Sequence, residues 1–278
     1  MLNLQLFGTL VATCQVAGQA AEVITLTARP GSLLAFLALA RGRYFSRGEL
    51  LFTLWGEQLD SAHAGVVNTT LWRLRRSVER APFKAGEIIA CDRHGALGMP
   101  EEARCVLDVE QFLRLVVPAL NKPMERLLPG DIDDLQRGVA CYTDDILAGM
   151  RDEWALRERE KLRRHYMNAL GRLMQLRALA GDYPGAIGHA QRILDRDMLR
   201  EDVHCELMRL LMLNGQRALA LRQFERCRDA LRRELAIQPM RETLAMYQRI
   251  AESAVGHDAP PEPAPAPSLP PPAGPGRP

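Results

Sequence analysis

"LWRLRRSV", residues 71–78, sets one tryptophan and three arginines among apolar residues spaced for a helix. At about 100° per residue, Val67, Leu71, Leu74 and Val78 fall in one narrow stripe, which predicts a helix face turned to a core. Thr69, Arg76 and Arg80 lie opposite, flanked by Trp72 and Arg73, with Asn68 and Arg75 on the shoulders. A basic outward face is either a solvated surface or a nucleic-acid contact. Here it holds no acid except Glu79 at its margin. It also mixes Thr and Asn, which bond to base edges or phosphates, with Arg, which pairs bidentately with guanine or phosphate. Toward the N-terminus the outward stripe continues as Gly65 and Ala62, small residues that let the leading end of a helix approach another surface closely.

The flanks extend the pattern. Short strands are predicted at 2–7, about 10–16 and about 22–26, then a helix from about Pro30, a residue suited to a first turn because its missing N–H costs nothing there. In "YFSRGELLFTLW" (44–55), Ser46 and Glu49 form a capping box and Phe45 can staple onto Leu50, which predicts a helix from 47 to about 55. Asp60 or Ser61 can cap the next helix. Beyond it, "GEIIACDRHGALGMP" (86–100) reads as two short strands around a turn at Asp92–Gly95, a wing.

Strands, three helices with the third basic, then a hairpin: this order resembles the OmpR-like winged helix of response regulators. "LDSAHAGVVNTTLWRLRR" (59–76) is similar to the recognition helix of the Streptomyces antibiotic regulatory protein family. The matching residues are Ser61-Ala62, Val67, Asn68-Thr69 and Arg73-Leu74-Arg75-Arg76. "RGELLFTLWGE" (47–57) resembles that family's second helix. Two positions depart from the pattern: Gly95-Ala96, where the wing normally has Gly-Tyr, and Trp72, where a small polar residue is usual.

From "VLDVEQFLRLV" (106–116) onward no strand pattern follows. Trp154, Arg159, Leu162 and Tyr166 resemble the bacterial transcriptional activator domain that follows the winged helix in the same family; Trp154, Leu162 and Tyr166 would be its packed side. The chain then repeats itself. Shifting 173–195 by 34 residues superposes Leu173 on Leu207, Met174 on Met208, Leu176 on Leu210 and Leu179 on Leu213. It also superposes Gly181 on Gly215, Ala186 on Ala220, Arg192 on Arg226 and Asp195 on Asp229. Thirty-four residues is the tetratricopeptide period. Helices are predicted at about 151–180, 183–196, 200–213, 216–235 and 240–253, with the two glycines at left-handed turns and the two alanines where helices press together.

The net charge of +2 is too mild to diagnose nucleic-acid binding by itself. Six scattered cysteines read as free or buried thiols of a reducing compartment. No positive charge precedes Arg29, as a signal peptide would require, and "LLAFLALA" (33–40) is too short to span a bilayer. There is no phosphate-loop motif and no Ser/His/Asp set, and Cys91 with His94 lacks a second pair of metal ligands. No enzyme, cofactor or metal is therefore expected. The stretch from His257 holds ten of the eighteen prolines and buries no core.

The expectation is an α+β winged-helix DNA-binding domain over 1–100, an all-α tetratricopeptide-like activator domain over 106–255 and a disordered Pro-rich tail over 257–278. Asn68, Thr69, Trp72, Arg73, Arg75, Arg76 and Arg80 are the expected DNA-binding residues. The resemblance implies a cytoplasmic transcriptional activator that grips double-stranded promoter DNA and recruits RNA polymerase, with copies pairing on repeated sites and no membrane partner. The alternative, raised by Trp72 and the atypical wing, is a helical-repeat adaptor whose winged helix no longer reads DNA.

Overall fold

The computed structural model describes residues 1–16, 18, 20–56 and 64–252. The expected start of the third helix at Asp60–Ser61, Ala62 and the Pro-rich tail lie outside the described residues. Two compact units divide the chain, Met1–Ile193 and Leu194–Pro278.

In the first unit, β1 (Leu2–Gln5), β2 (Val11–Cys14) and β3 (Glu22–Ile24) form an antiparallel meander. Leu2 and Leu4 alternate with Asn3 and Gln5, so one face of β1 is buried, as the period of two requires. Next come α1 (Ala28–Leu39), β4 (Tyr44–Phe45), α2 (Arg47–Trp55) and α3 (Ala64–Val78). The helix expected from Pro30 starts two residues earlier, so Pro30 sits inside its first turn. At α2 the capping box forms in full: Ser46 Oγ accepts from the Glu49 N–H at 3.1 Å, and the Glu49 carboxylate accepts from the Ser46 N–H at 2.7 Å. These bonds hold the Glu49 carboxyl below its usual range.

β5 (Ala90–Cys91) and β6 (Leu97–Gly98) make the wing, and β6 also pairs with β4. Gly98 is required there, because an added Cβ would lie 2.5 Å from the Arg43 carbonyl oxygen. Neither β4 nor one further strand was expected. β7 (Cys105–Leu107) pairs in parallel with β1 and completes a four-stranded sheet in the order β3-β2-β1-β7. The stretch from 106, read as wholly helical, therefore begins in the sheet.

Asp108 opens α4 (Asp108–Leu120), and its Oδ2 accepts from the Leu6 and Phe7 N–H groups at 2.8 and 3.0 Å. Burial pushes the Asp108 carboxyl up from its usual range against these bonds. α5 (Pro129–Cys141) packs closely on α4 because Gly138 offers no side chain where Val116 presses in. α6 (Glu153–Leu179) buries Trp154, Leu162 and Tyr166 as expected. Tyr142 stacks on Tyr166 at 4.2 Å and meets Phe7 at 4.8 Å, and Trp154 meets Phe36 of α1 edge-on at 5.3 Å. The helices thus share a core with the sheet and α1. α7 (Tyr183–Arg196) follows a left-handed Gly181, φ +73°.

In the second unit, α8 (Glu201–Leu213), α9 (Arg217–Leu235) and α10 (Arg241–Glu252) pack on one another. Gly215 turns α8 into α9 at φ +72°, as the repeat predicts. Buried His204 is satisfied on both nitrogens: Nε2 donates to the Met198 carbonyl at 3.1 Å and Nδ1 accepts from Gln223 at 2.7 Å. Glu201 accepts the Met240 N–H at 2.6 Å, and Arg217 donates to the Ile250 and Ala251 carbonyls, which holds α10 at both ends. Phe224 stacks on Tyr247 at 4.2 Å.

Ala220 is fully buried on α9. Ala220→Leu is expected to cost about 1–3 kcal/mol by overpacking, whereas an exposed helix position would tolerate it within about 0.5 kcal/mol. The midpoint of a denaturant melt distinguishes the two, and an unshifted midpoint means the 34-residue register is wrong.

Candidate nucleic-acid interface

The interface is built on α3. Val67, Leu71, Leu74 and Val78 are all buried, so the predicted stripe anchors the helix, and α1 and α2 pack against it. The opposite face is left to solvent: Asn68, Thr69, Trp72, Arg73, Arg76 and Arg80 are exposed. Trp72 is 59% exposed, with the Arg76 guanidinium 5.3 Å from its ring centroid. Thr69 Oγ1 donates to the Gly65 carbonyl at 2.9 Å.

Glu79, the acid at the margin, is turned inward. Its Oε1 accepts from the Ile88 and Ile89 N–H groups at 3.2 and 2.9 Å. Among the described residues, no carboxylate lies within ion-pair distance of Arg73, Arg76 or Arg80. Uncompensated guanidinium groups on one side of a helix give a local positive field that the mild net charge does not convey.

Arg75 behaves differently from its neighbours. It is half-buried, donates to the Ile89 carbonyl at 2.9 Å and lies 3.8 Å from Glu79. It ties α3 to the base of the wing. The other six expected residues share the exposed face.

The wing turn is organised by Asp92, whose Oδ1 accepts from the His94 and Ala96 N–H groups at 2.9 and 2.8 Å. Gly95 takes φ +82°, a conformation open to glycine. Arg93 and His94 stand exposed at the tip. Beside α3 lies a cleft of about 750 Å³ lined by Thr25, Thr27 and Pro30 together with Trp72, Arg73, Arg76, Glu79 and Arg80.

Sequence reasoning missed Arg47. It donates from Nε to Asn68 Oδ1 at 3.0 Å and from Nη1 to the Gly95 carbonyl at 2.6 Å, joining α3 and the wing turn. One signal was available: a cation in the first turn of α2 opposes the helix dipole, so helix stability does not account for it. Among the described residues no group of three metal-ligating side chains occurs, and no helix is long and apolar enough to cross a membrane. The six cysteines are free thiols.

A helix with a buried stripe and an exposed arginine face, set beside a short hairpin, is the arrangement of a winged helix. Residues 21–95 match the family model described as transcriptional regulatory protein, C terminal, and residues 107–251 match the bacterial transcriptional activator domain. The chain belongs to the bacterial transcriptional activator domain family, in the arrangement of the Streptomyces antibiotic regulatory proteins. It is 26% identical over 222 residues to regulatory protein AfsR of Streptomyces coelicolor and 25% identical over 219 residues to AfsR of Streptomyces griseus. These alignments cover 80% and 79% of this chain but only 22% of either relative. The chain therefore spans about a fifth of the length of the curated relatives it matches. The fold is also that of EmbR of Mycobacterium tuberculosis, solved in complex with a low-affinity phosphopeptide. The TM-score is 0.70 at 18% identity, over 91% of this chain and 65% of that one.

Proposed function

We propose that this chain is a sequence-specific activator that lays α3 in the major groove of promoter DNA and uses its helical region to engage RNA polymerase or a second copy. The acid-free face of α3 carries the reading: Arg73, Arg76 and Arg80 are exposed and uncompensated, while Glu79 is turned inward. In this reading Asn68, Thr69 and Arg73 reach base edges. Arg76, Arg80 and the wing-tip Arg93 sit on phosphates, and Trp72 packs its ring along the sugar-phosphate backbone. Arg75 supports the wing and does not contact DNA. Residues 1–100 act as the DNA-contacting part and 106–255 as the partner-contacting part, although β7 and the helices that follow share a core with the winged helix. Polymerase recruitment and pairing on repeated sites rest on the family resemblance alone.

The test is selection of bound fragments from a randomised duplex library by the full chain, followed by binding of the enriched sequence in increasing salt. A defined motif and a steep salt dependence are expected. Absence of any DNA binding would favour the adaptor reading.

A further inference from the structure

We infer that Arg47 sets base preference through Asn68: by drawing the Asn68 carboxamide oxygen toward itself, it turns the NH2 group of Asn68 toward DNA. The inference rests on the DNA-reading assignment of α3. Arg47 Nε lies 3.0 Å from Asn68 Oδ1. The oxygen and nitrogen of a carboxamide are alike in shape, but a guanidinium carries five donors and no acceptor, so the atom facing it must be the oxygen. An unconstrained asparagine reads adenine by accepting from N6 while donating to N7. With its oxygen turned to Arg47 and its amide plane set there, Asn68 presents its NH2 group to the groove; that group can donate to adenine N7 but cannot accept from N6, so the bidentate adenine pairing is lost. A donor group instead suits guanine, whose O6 and N7 both accept, or thymine O4, and it is rejected by cytosine N4.

The same guanidinium donates to the Gly95 carbonyl at 2.6 Å, and the glycine turn leaves room for it, since a Cβ there would lie 3.3 Å from Nη1. Asn68 on the recognition helix and the turn of the wing are thus held by one side chain. Arg47 acts here as a positioning residue, and Asn68 is the reader.

The experiment compares motifs selected from a randomised duplex library by the full-length chain and its variants. Asn68→Ala should relax one position at which the wild-type chain takes guanine or thymine. Arg47→Met should move that same position toward adenine by about tenfold or more, the order that one base-edge pair is worth. Arg47→Lys, which still donates to the oxygen, should keep the wild-type preference. Should Arg47→Met fail to fold, Asn68→Asp in the presence of Arg47 decides the matter: its outward carboxylate oxygen should switch that position to cytosine.

Two results overturn the inference while leaving DNA reading intact. One is an unchanged motif in folded Arg47→Met with affinity lowered evenly across sequences, which makes Arg47 a brace of the fold only. The other is a wild-type motif that Asn68→Ala does not alter anywhere. A wild-type chain that enriches no sequence removes the DNA-reading assignment, and this inference with it.

Discussion

Trp154→Ala should lower the stability of the 1–193 unit by about 3–5 kcal/mol, the usual cost of truncating a buried aromatic side chain. Trp154 is 4% exposed, and its ring meets Phe36, which in turn lies 4.8 Å from Phe45 of β4. Removing the indole opens a cavity where the first turn of α6 meets α1 and the wing sheet. Its Nε1 is buried without a hydrogen-bond partner, so part of the apolar gain is already offset by desolvation. Trp154→Phe should therefore cost much less than Trp154→Ala. Denaturant melts of the full chain provide the measurement, with Trp55 and Trp72 reporting the winged helix and circular dichroism reporting the helices. Both signals should shift together. A shifted helical transition with an unmoved tryptophan transition would mean that the winged helix folds without α6.

Arg73→Ala and Arg76→Ala should each weaken DNA binding with little change in melting temperature, because both side chains are exposed and face away from the Val67/Leu71/Leu74 stripe. Removing an arginine that sits on a phosphate lowers the log–log salt slope by about one unit. Removing one that bonds to a base edge instead costs about 1–3 kcal/mol and relaxes one position of the motif. Arg75→Ala should show the opposite signature. It gives up the bond to the Ile89 carbonyl, so the expected change is a lower melting temperature with an unchanged salt slope. Anisotropy titrations at several salt concentrations decide these cases. Unchanged affinity in both Arg73→Ala and Arg76→Ala would sink the assignment of α3 as the reading helix.

Much of the architecture was legible in the residues because its determinants act over a few positions. The buried stripe of α3 follows from the helical period, and the start of α2 from Ser46 and Glu49 three residues apart. The turns at Gly181 and Gly215 follow from a 34-residue spacing that places glycine where φ is positive. β7 escaped notice for the converse reason. It is three residues long, and its partner β1 lies about a hundred positions earlier, so no local alternation marks it.

The interface shows the same division more sharply. Periodicity placed seven side chains on one outward arc, and six of them are exposed there. Which way Arg75 turns was decided by the Ile89 carbonyl and by Glu79, and the position of that carbonyl depends on how the wing packs. Arg47 belongs to a different helix from Asn68 and a different loop from Gly95, and they meet only when α2, α3 and the wing assemble. The sequence by itself determined most of the helices, the cap of α2, the repeat and the sign of the exposed face, since each is a property of neighbours within a few turns. Only the tertiary structure decided the closing of the sheet by β7, the burial of Glu79 and the orientation of Asn68, because each depends on a hydrogen-bonding group brought in from elsewhere in the fold.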